Sequence, residues 1–406
     1  MQSLLVSNIS TLATPQGSVP RKGPEQGKIQ FLKDAWVLIE DGMIVQVGSG
    51  PAPAADQSID AQGNLVTPGL VDAHTHLVFG GWRQHELALK LHGKTYLEIQ
   101  NAGGGIQSTT NATRRATEEE LTEKAARALD EMMGFGVTTC EAKSGYGLAT
   151  EHELKSLWVI RKLNERHAMD IAATFMGAHL VPAEYKADRK AYIRLLCEEM
   201  MPRVKEQGVA KFCDVFCEAD TFTVEESRQV LEAGLKYGLR QKIHADEIEA
   251  IGGSVLAGEL GAVSAEHLIV CPPEGIESMA RGGVVACLLP ATSFYLGAAF
   301  APARDMINAG VPVAMASDFN PGSCPCLNLQ FVINLGCLKY RLTPEEVLTA
   351  VTLNAAAAIG LADRTGSVEP GKLGDLVIWD APDLDYICYR MGSNLAKTVI
   401  KKGNVM

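Results

Sequence analysis

Apolar and polar residues alternate differently in the outer and central parts of the chain. Short apolar runs separated by Gly, Pro and Asn, such as SLLVSNISTLAT and AWVLIEDGMIVQVG, fill the first 67 residues, and GDLVIWD near the C-terminus has the same pattern. Such runs predict short β-strands joined by polar turns. We therefore predict that residues 1–67 and 365–406 form one small β-sandwich domain, in which residues 21–34 are an irregular excursion without an assigned role.

The central segment, 68–364, alternates apolar strand-like runs with longer helix-like stretches. One of these stretches, TEEELTEKAARALDEMMG, begins with a capping box formed by Thr117 and Glu120, and another is TPEEVLTAVTLNAAAAIG. Repeated strand–helix units predict a parallel sheet, and eight of them predict an α/β fold of the (β/α)8 TIM-barrel class. The predicted strands lie at 66–75, 137–142, 171–178, 211–217, 239–244, 261–266, 284–289 and 311–317.

Composition limits the partners and the compartment. The 406 residues include 37 Lys and Arg against 48 Asp and Glu, and the net charge of −11 argues against nucleic acid or an anionic membrane as a partner. The apolar runs are shorter than the roughly 20 residues of a membrane helix, and no secretory signal opens the chain. Most of the ten cysteines lie inside apolar runs, as reduced thiols do. We expect a cytoplasmic protein that acts on a small molecule.

Histidines and one aspartate stand at the ends of predicted barrel strands. His74 and His76 end the run PGLVDAHTH, and their spacing places both on one face of a strand. His244 in KIHADE, His267 in SAEHL and Asp318 in ASDFNPGS end three later strands. Each alone has an ordinary structural explanation, but the carboxyl ends of barrel strands meet at one face. Their coincidence predicts a metal site, because imidazole and carboxylate suit zinc or iron.

These segments resemble the amidohydrolase superfamily, whose metal residues follow the order H-x-H, His, His, Asp along the barrel strands. Over nearly the whole chain the sequence is similar to the imidazolonepropionases within it, in PGLVDAHTHLVFGGWRQHE, the GGGI loop, KSGYGL, FMGAHLVP, KIHADE, SAEHL and ASDFNPGS. The resemblance implies metal-dependent hydrolysis of the cyclic-amide C–N bond of 4-imidazolone-5-propanoate to N-formimidoyl-L-glutamate, a step in histidine degradation. It also implies a homodimer.

The resemblance assigns roles to individual residues. It makes His74, His76, His244 and Asp318 the metal ligands, and Glu247, His267 and Asp318 the catalytic residues. The fourth strand ends in VFCEAD, without the lysine that bridges two metals in several amidohydrolases. We therefore expect one divalent or trivalent ion per subunit, zinc or iron, and we assign Lys143 to a structural or polar network.

Substrate binding is assigned to a further set by the same resemblance. Arg83 follows the H-x-H strand, and its guanidinium could bind the propionate carboxylate through two hydrogen bonds. Without the resemblance, Arg83 would be an ordinary surface arginine. The complete set is Arg83, Tyr96, Tyr146, His179, Glu247, Asn320, Gly322 and Ser323.

Two alternatives stay open at this point. Another amidohydrolase of the same fold, such as a nucleobase deaminase or a cyclic-imide hydrolase, would share the metal residues, although Arg83 favours a substrate that carries a carboxylate. A non-catalytic scaffold on the same barrel belongs to a different class of function. It is disfavoured because every ligand position is filled.

Overall fold

The strands in the described part of the chain form two separate sheets of eight strands each. The computed structural model describes residues 3–94, 98–99 and 103–406. The strands are β1 (Ser3–Thr14), β2 (Gln30–Glu40), β3 (Met43–Ser49), β4 (Gln57–Asp60), β5 (Leu65–Pro68), β6 (Leu70–Asp72), β7 (Val137–Lys143), β8 (Asp170–Ala178), β9 (Phe212–Cys217), β10 (Arg240–Ala245), β11 (Ser264–His267), β12 (Val285–Leu288), β13 (Val313–Met315), β14 (Leu376–Trp379), β15 (Ala396–Lys401) and β16 (Asn404–Val405).

The helices lie mainly between the strands of the second sheet. They are α1 (Leu87–Leu91), α2 (Gly105–Arg115), α3 (Glu118–Gly134), α4 (Thr150–Arg166), α5 (Arg189–Arg194), α6 (Met201–Gln207), α7 (Val224–Lys236), α8 (Gly253–Leu260), α9 (Pro273–Gly282), α10 (Pro290–Leu296), α11 (Ala303–Asn308), α12 (Leu329–Tyr340), α13 (Pro344–Ala350), α14 (Leu353–Ala358) and α15 (Leu384–Tyr389). Thr117 caps α3 in the predicted capping box with Glu120. Within the described part of the chain, no helix combines the length and the apolar composition of a membrane span.

Strands β6 to β13 form a parallel barrel in chain order, which confirms the predicted (β/α)8 class. The barrel closes where the chain beyond β6 meets the chain beyond β13. There the backbone N–H of His76 donates to the carbonyl of Phe319 at 2.9 Å, and that of Asp318 donates to the carbonyl of His74 at 3.0 Å. Closure therefore brings the carboxyl ends of the first and last barrel strands side by side, so that their polar side chains lie close to one another.

The first predicted strand, 66–75, is wrong as one continuous strand. The segment divides at Gly69 into β5, which joins the small sheet, and β6, which joins the barrel. The Gly69 N–H donates to Asp375 of the small domain, and the next N–H donates to Gly136 beside the barrel. A Cβ at Gly69 would lie 2.2 Å from Thr138 Oγ1, so this crossing requires glycine.

A second correction concerns the helical candidate TPEEVLTAVTLNAAAAIG. It forms two helices, α13 and α14, which are separated at Val351 and Thr352. Thr352 has φ −131° and ψ −91°, outside the helical region. The Val351 carbonyl accepts a hydrogen bond from the backbone N–H of Val71 in β6 at 2.8 Å. This bond to the barrel takes the place of a bond within a continuous helix.

Both ends of the chain build the other sheet, as predicted. Its order is β16-β15-β14-β5-β1-β2-β3, with β4 also paired to β1, and its pairs are antiparallel except those of β4 and β5 with β1. The exact division at residues 67/68 and 364/365 stays a prediction. The ten cysteines are free thiols.

Residues 21–34 connect the small sheet to the barrel. They contain a 3-10 turn, Gly23–Gly27, and the start of β2. The buried Gln26 side chain donates to the Val313 carbonyl and accepts from the Val313 N–H, both at 3.0 Å. Gln26 thus satisfies the backbone of β13 as a neighbouring strand would, which gives the excursion a structural role.

Candidate metal centre and active-site pocket

The four predicted metal ligands meet at the carboxyl end of the barrel. Asp318 Oδ1 lies 3.3 Å from His74 Nε2 and 3.6 Å from His76 Nε2, and His76 Nε2 lies 3.4 Å from His244 Nε2. The potential ligand atoms of the three histidines all lie within 4.8 Å of one another. A second group within the same limit contains His74, His267 and Asp318. These spacings suit side chains that converge on one ion.

The protonation and hydrogen bonding of this cluster fit a cation. Burial, followed by the neighbouring positive charge of Lys143 and other histidines, holds the pKa of His74 well below its ordinary value, so the ring is neutral and has a lone pair to offer. Among the described residues, His74 Nε2 and Asp318 Oδ1 are buried without a hydrogen-bond partner. Buried polar atoms rarely stay unsatisfied, and a metal ion would satisfy both.

Two buried carboxylates orient the histidines from behind. His74 Nδ1 lies 2.8 Å from Glu266 Oε2, and His244 Nδ1 lies 3.1 Å from Asp214 Oδ1. A proton on each Nδ1, donated to the carboxylate, leaves each Nε2 available at the centre. Thr292 in turn donates to Asp318 Oδ2 at 2.6 Å, which leaves the other oxygen facing the histidines.

A row of alternating charges joins these carboxylates inside the barrel. Lys242 Nζ lies 3.3 Å from Glu266 and 2.7 Å from Glu141, and Lys143 Nζ lies 2.8 Å from Glu141 and 2.7 Å from Asp214. All five side chains are fully buried. Although burial opposes ionisation, His244 and Lys143 hold the pKa of Asp214 well below its ordinary value. Lys143 therefore belongs to a buried polar network, in agreement with its interpretation from the sequence.

The backbone at two strand ends is held in an unfavourable conformation. His267 has φ +68° and Asp318 has φ +56°, in the left-handed region that non-glycine residues seldom adopt. Such conformations persist only where the surrounding structure enforces them, and they concentrate at functional sites. They direct both side chains toward the centre, and no sequence pattern indicates them.

A cavity of about 270 Å³ opens over the cluster. The predicted substrate residues that line it are Arg83, Tyr146, His179, Glu247, Asn320, Gly322 and Ser323. Tyr96 lies outside the described residues. The cavity also exposes His76, His244, His267 and Asp318, so the ligand cluster and the predicted binding residues share one space. Lining residues that were not predicted include Lys90, Phe216, Glu218 and Leu296.

Arg83 is buried and held by an ion pair with Glu86. Its Nε and Nη2 donate to the two oxygens of Glu86, each at 2.9 Å, and Glu86 also accepts the Gly105 N–H at 2.7 Å. The guanidinium packs on Gly322, where a Cβ would lie only 2.1 Å from Nη1. Lys90 is nearby and donates to the Gly322 carbonyl at 2.7 Å. Arg83 is thus a fixed, buried cation rather than a mobile surface arginine.

Two further carboxylates organise the loops around the cavity. Glu153 accepts backbone N–H groups of Gly145, Gly147 and Leu148, the loop that carries Tyr146. Glu218 likewise accepts the N–H groups of residues 248 and 249, directly after Glu247. Sequence reasoning missed these roles, because the partners are backbone groups. The Arg83–Glu86 ion pair was missed as well, although the i, i+3 spacing of the two residues is a signal that could have indicated it.

Three predicted substrate or catalytic residues have distinct environments. The Asn320 side chain bonds within its own loop, accepting the N–H of Gly322 and of Ser323 at 2.8 Å each. Burial and the charge of His244 lower the pKa of His179 to about 3, so its ring is neutral. Burial and the charge of Asp318 raise the pKa of Glu247 to about 8. Glu247 Oε1 lies 3.6 Å from His267 Nδ1, beyond hydrogen-bond distance.

Comparisons with known proteins agree with this geometry. A model of the amidohydrolase family matches residues 65–406. The chain is 51% identical to an imidazolonepropionase of Alkaliphilus metalliredigens, over 100% of this chain and 98% of that protein. It is 50% identical to an imidazolonepropionase of Geobacillus kaustophilus, with the same coverage.

Solved structures share the fold at lower sequence identity. Atrazine chlorohydrolase from Arthrobacter aurescens TC1, complexed with zinc, has a TM-score of 0.72 at 20% identity, over 99% of this chain and 94% of that one. Guanine deaminase from C. acetobutylicum, with bound guanine, has a TM-score of 0.70 at 18% identity, over 100% of both chains. These similarities support the barrel with its attached small sheet.

Proposed function

The chain belongs to the imidazolonepropionases of the amidohydrolase family, and we propose that the cavity over its histidine cluster is where the imidazolone ring is opened. The enzyme hydrolyses the cyclic-amide C–N bond of 4-imidazolone-5-propanoate to N-formimidoyl-L-glutamate in histidine degradation. One observation carries the placement of the reaction. A single cavity of about 270 Å³ joins the His and Asp cluster to the buried guanidinium of Arg83, and so combines a hydrolytic centre with a carboxylate-binding cation.

We propose that His74, His76, His244 and Asp318 hold one zinc or iron ion. The converging ligand atoms, the neutral imidazoles of His74 and His76, and the unpartnered buried atoms among the described residues support this assignment. When bound, such an ion supplies Lewis acidity, which lowers the pKa of water toward neutrality and provides a nucleophile without a serine or cysteine. Both metals accept imidazole and carboxylate ligands.

We assign the proton transfers to three side chains that line the cavity. Asp318 lines the cavity beside the predicted histidine ligands, and its carboxylate accepts a proton from the attacking water. The water oxygen bonds to the ring carbonyl carbon while neutral His267 donates a hydrogen bond to the carbonyl oxygen. The C–N bond then breaks, and the protonated carboxyl of Glu247 gives its proton to the leaving nitrogen.

We assign substrate orientation to other side chains that line the same cavity. Arg83 binds the propionate carboxylate, and Lys90, which lines the same cavity, adds a second positive charge. Tyr146 and His179 contact the ring, and His179 is fixed by stacking on His76 at 4.9 Å between ring centroids. A neutral nucleobase would leave Arg83 without a carboxylate to bind, which argues against the deaminase alternative.

The decisive test is an activity assay on freshly prepared 4-imidazolone-5-propanoate with metal quantified in the same sample. We expect ring opening in proportion to the zinc or iron content, and loss of activity after chelation with recovery on reloading. Guanine, adenine and hydantoin serve as comparison substrates. Turnover of only a nucleobase, or an inert protein whose centre cannot be loaded, would replace this function with a deaminase or a non-catalytic scaffold.

Glu86 is expected to act as a positioning residue for Arg83. Glu86→Gln keeps the shape of the side chain but removes the charge that fixes the guanidinium. Because a charge-assisted hydrogen bond contributes about 1.5–3 kcal/mol, KM should rise by about tenfold to a hundredfold. The value of kcat should stay within about threefold, since only substrate binding is weakened.

Steady-state kinetics distinguish this role from a general structural one. The control is Gln84→Ala, an exposed residue on the same turn, which should leave both parameters unchanged. An equal loss in kcat with KM unaltered would contradict a role confined to binding.

Two further proposals concern the assembly and the location of the protein. We propose a homodimer, on the resemblance to the family, and a cytoplasmic location, because the ten cysteines are free thiols, as is usual in a reducing compartment.

A further inference from the structure

A second cavity, of about 580 Å³, lies at the amino end of the barrel, opposite the histidine cluster. We call it the basal cavity. Its floor is built by residues near the start of neighbouring strands, including Thr139 of β7, Ala172 of β8 and Phe212 of β9. Its wall is the segment 359–365, which follows the last barrel helix. The basal cavity shares no lining residue with the cavity over the cluster.

Cations without carboxylate partners surround the basal cavity. Lys211, Arg240 and Arg364 line it and are exposed, and within the described residues their side chains make no ion pair or hydrogen bond. Among the described residues, Asp170 is the one carboxylate that lines the cavity, and it is already paired with Lys401 and Lys402, each at 2.7 Å. A local excess of positive charge is notable in a chain whose net charge is −11. Such a surface attracts anions.

Arg240 is placed by packing rather than by an acidic neighbour. Its guanidinium carbon lies 5.5 Å from the centroid of the Phe212 ring, within cation–π distance. Its Nη1 lies against Gly360, where a Cβ would be 2.5 Å away, and Gly360 has φ +69°. The guanidinium therefore has a defined position while its donors remain available to an oxygen anion.

The floor of the basal cavity combines apolar surface with one unsatisfied hydroxyl. Ile171, Ala172 and Phe212 are buried and line it. Thr139 is fully buried and also lines it, yet its Oγ1 has no hydrogen-bond partner among the described residues. An apolar floor below a cationic rim matches a ligand with an apolar body and an anionic head.

We propose that the basal cavity is a second binding site of this enzyme, for a small organic anion that carries a phosphate or carboxylate group. The apolar body lies on the floor formed by β8 and β9, and the anionic oxygens contact Arg240 with Lys211 or Arg364. Charge-assisted hydrogen bonds to the guanidinium supply directional affinity. Burial of the apolar body adds the hydrophobic contribution.

Calorimetric titration of the metal-loaded enzyme tests the proposal with three probes of equal body size: 1-naphthyl phosphate, 1-naphthoate and neutral 1-naphthol. We expect one anion per subunit, with 1-naphthol at least about tenfold weaker, since each charge-assisted hydrogen bond contributes about 1.5–3 kcal/mol. The stronger of the two anions identifies the preferred head group. Failure of both anions to bind at millimolar concentration, or equal binding of 1-naphthol, would overturn the proposal.

Variants locate the binding event. The double substitution Arg240→Gln and Arg364→Gln should weaken the anions at least about tenfold while leaving the unfolding temperature and kcat/KM unchanged. Lys211→Gln provides a second, milder test at the same rim. The control is Arg281→Gln, an exposed arginine on α9 outside the cavity. Undiminished binding to the double variant, with competitive inhibition of turnover, would place the probe at Arg83 instead and refute the site.

Discussion

Replacing His267 with Gln is expected to lower kcat by about a thousandfold while the metal content stays at the wild-type level. His267 is buried, and it lines the cavity beside the predicted ligands without being needed to complete the set of four. Loss of its hydrogen bond to the developing oxyanion removes stabilisation that exists mainly in the transition state. Such groups contribute about 10²- to 10⁴-fold.

The measurement pairs turnover at saturating substrate with metal analysis of the same sample. Glu247→Gln should lose a comparable factor in kcat, because glutamine cannot return a proton to the leaving nitrogen. The control is His167→Gln, which removes a histidine paired with Asp130 outside the cavity and should leave kcat unchanged. Full activity of the His267 variant would exclude that residue from the mechanism. Parallel loss of metal would make His267 a ligand, which the second cluster geometry also allows.

The positions of the strands were predictable because barrel strands are short apolar runs with polar ends. All eight predicted barrel runs overlap a strand, and the residues at their carboxyl ends, His74 and Asp318 among them, converge as expected. The break at Gly69 was not predictable, because it depends on a close approach of Thr138, which is distant in sequence. Periodicity reports burial, and both β5 and β6 are buried, so it cannot show where the chain passes from one sheet to another.

The sequence predicted which residues belong to the candidate site, but not the contacts that hold their side chains in place. Residue types at strand ends indicated a metal site, and the family resemblance indicated that Arg83 binds a carboxylate. The anchoring of the Tyr146 loop by Glu153 instead depends on three-dimensional contacts. Positive φ at His267 is likewise imposed by its surroundings. Sequence patterns identify which groups are present, but tertiary contacts decide where those groups point.

Lys143→Met is expected to lower the free energy of unfolding of the metal-free protein by roughly 3–5 kcal/mol, the range for removal of one partner of a buried ion pair. Methionine fills a similar volume, so the loss measures charge more than packing. Glu141 keeps Lys242 at 2.7 Å, whereas Asp214 loses its only lysine and retains His244 alone. Most of the lost unfolding free energy should therefore come from the buried charge of Asp214. Urea denaturation followed by circular dichroism measures the change.

The matched control is Lys162→Met, which breaks a partly exposed pair with Glu118 and should cost about 0–1 kcal/mol.

Adding Asp214→Asn to Lys143→Met removes the unpaired buried charge, so part of the lost unfolding free energy should return. The double variant should bind the metal about 10- to 100-fold more weakly than the wild type, because a neutral amide holds the His244 imidazole less firmly than the Asp214 carboxylate does. A cost below about 1 kcal/mol for the single variant would contradict this assignment, because it would mean that Asp214 does not need Lys143. The expected combination, recovered stability with weak metal binding, would show two separate roles. Asp214 orients His244 toward the metal, and Lys143 offsets the cost of burying the Asp214 charge.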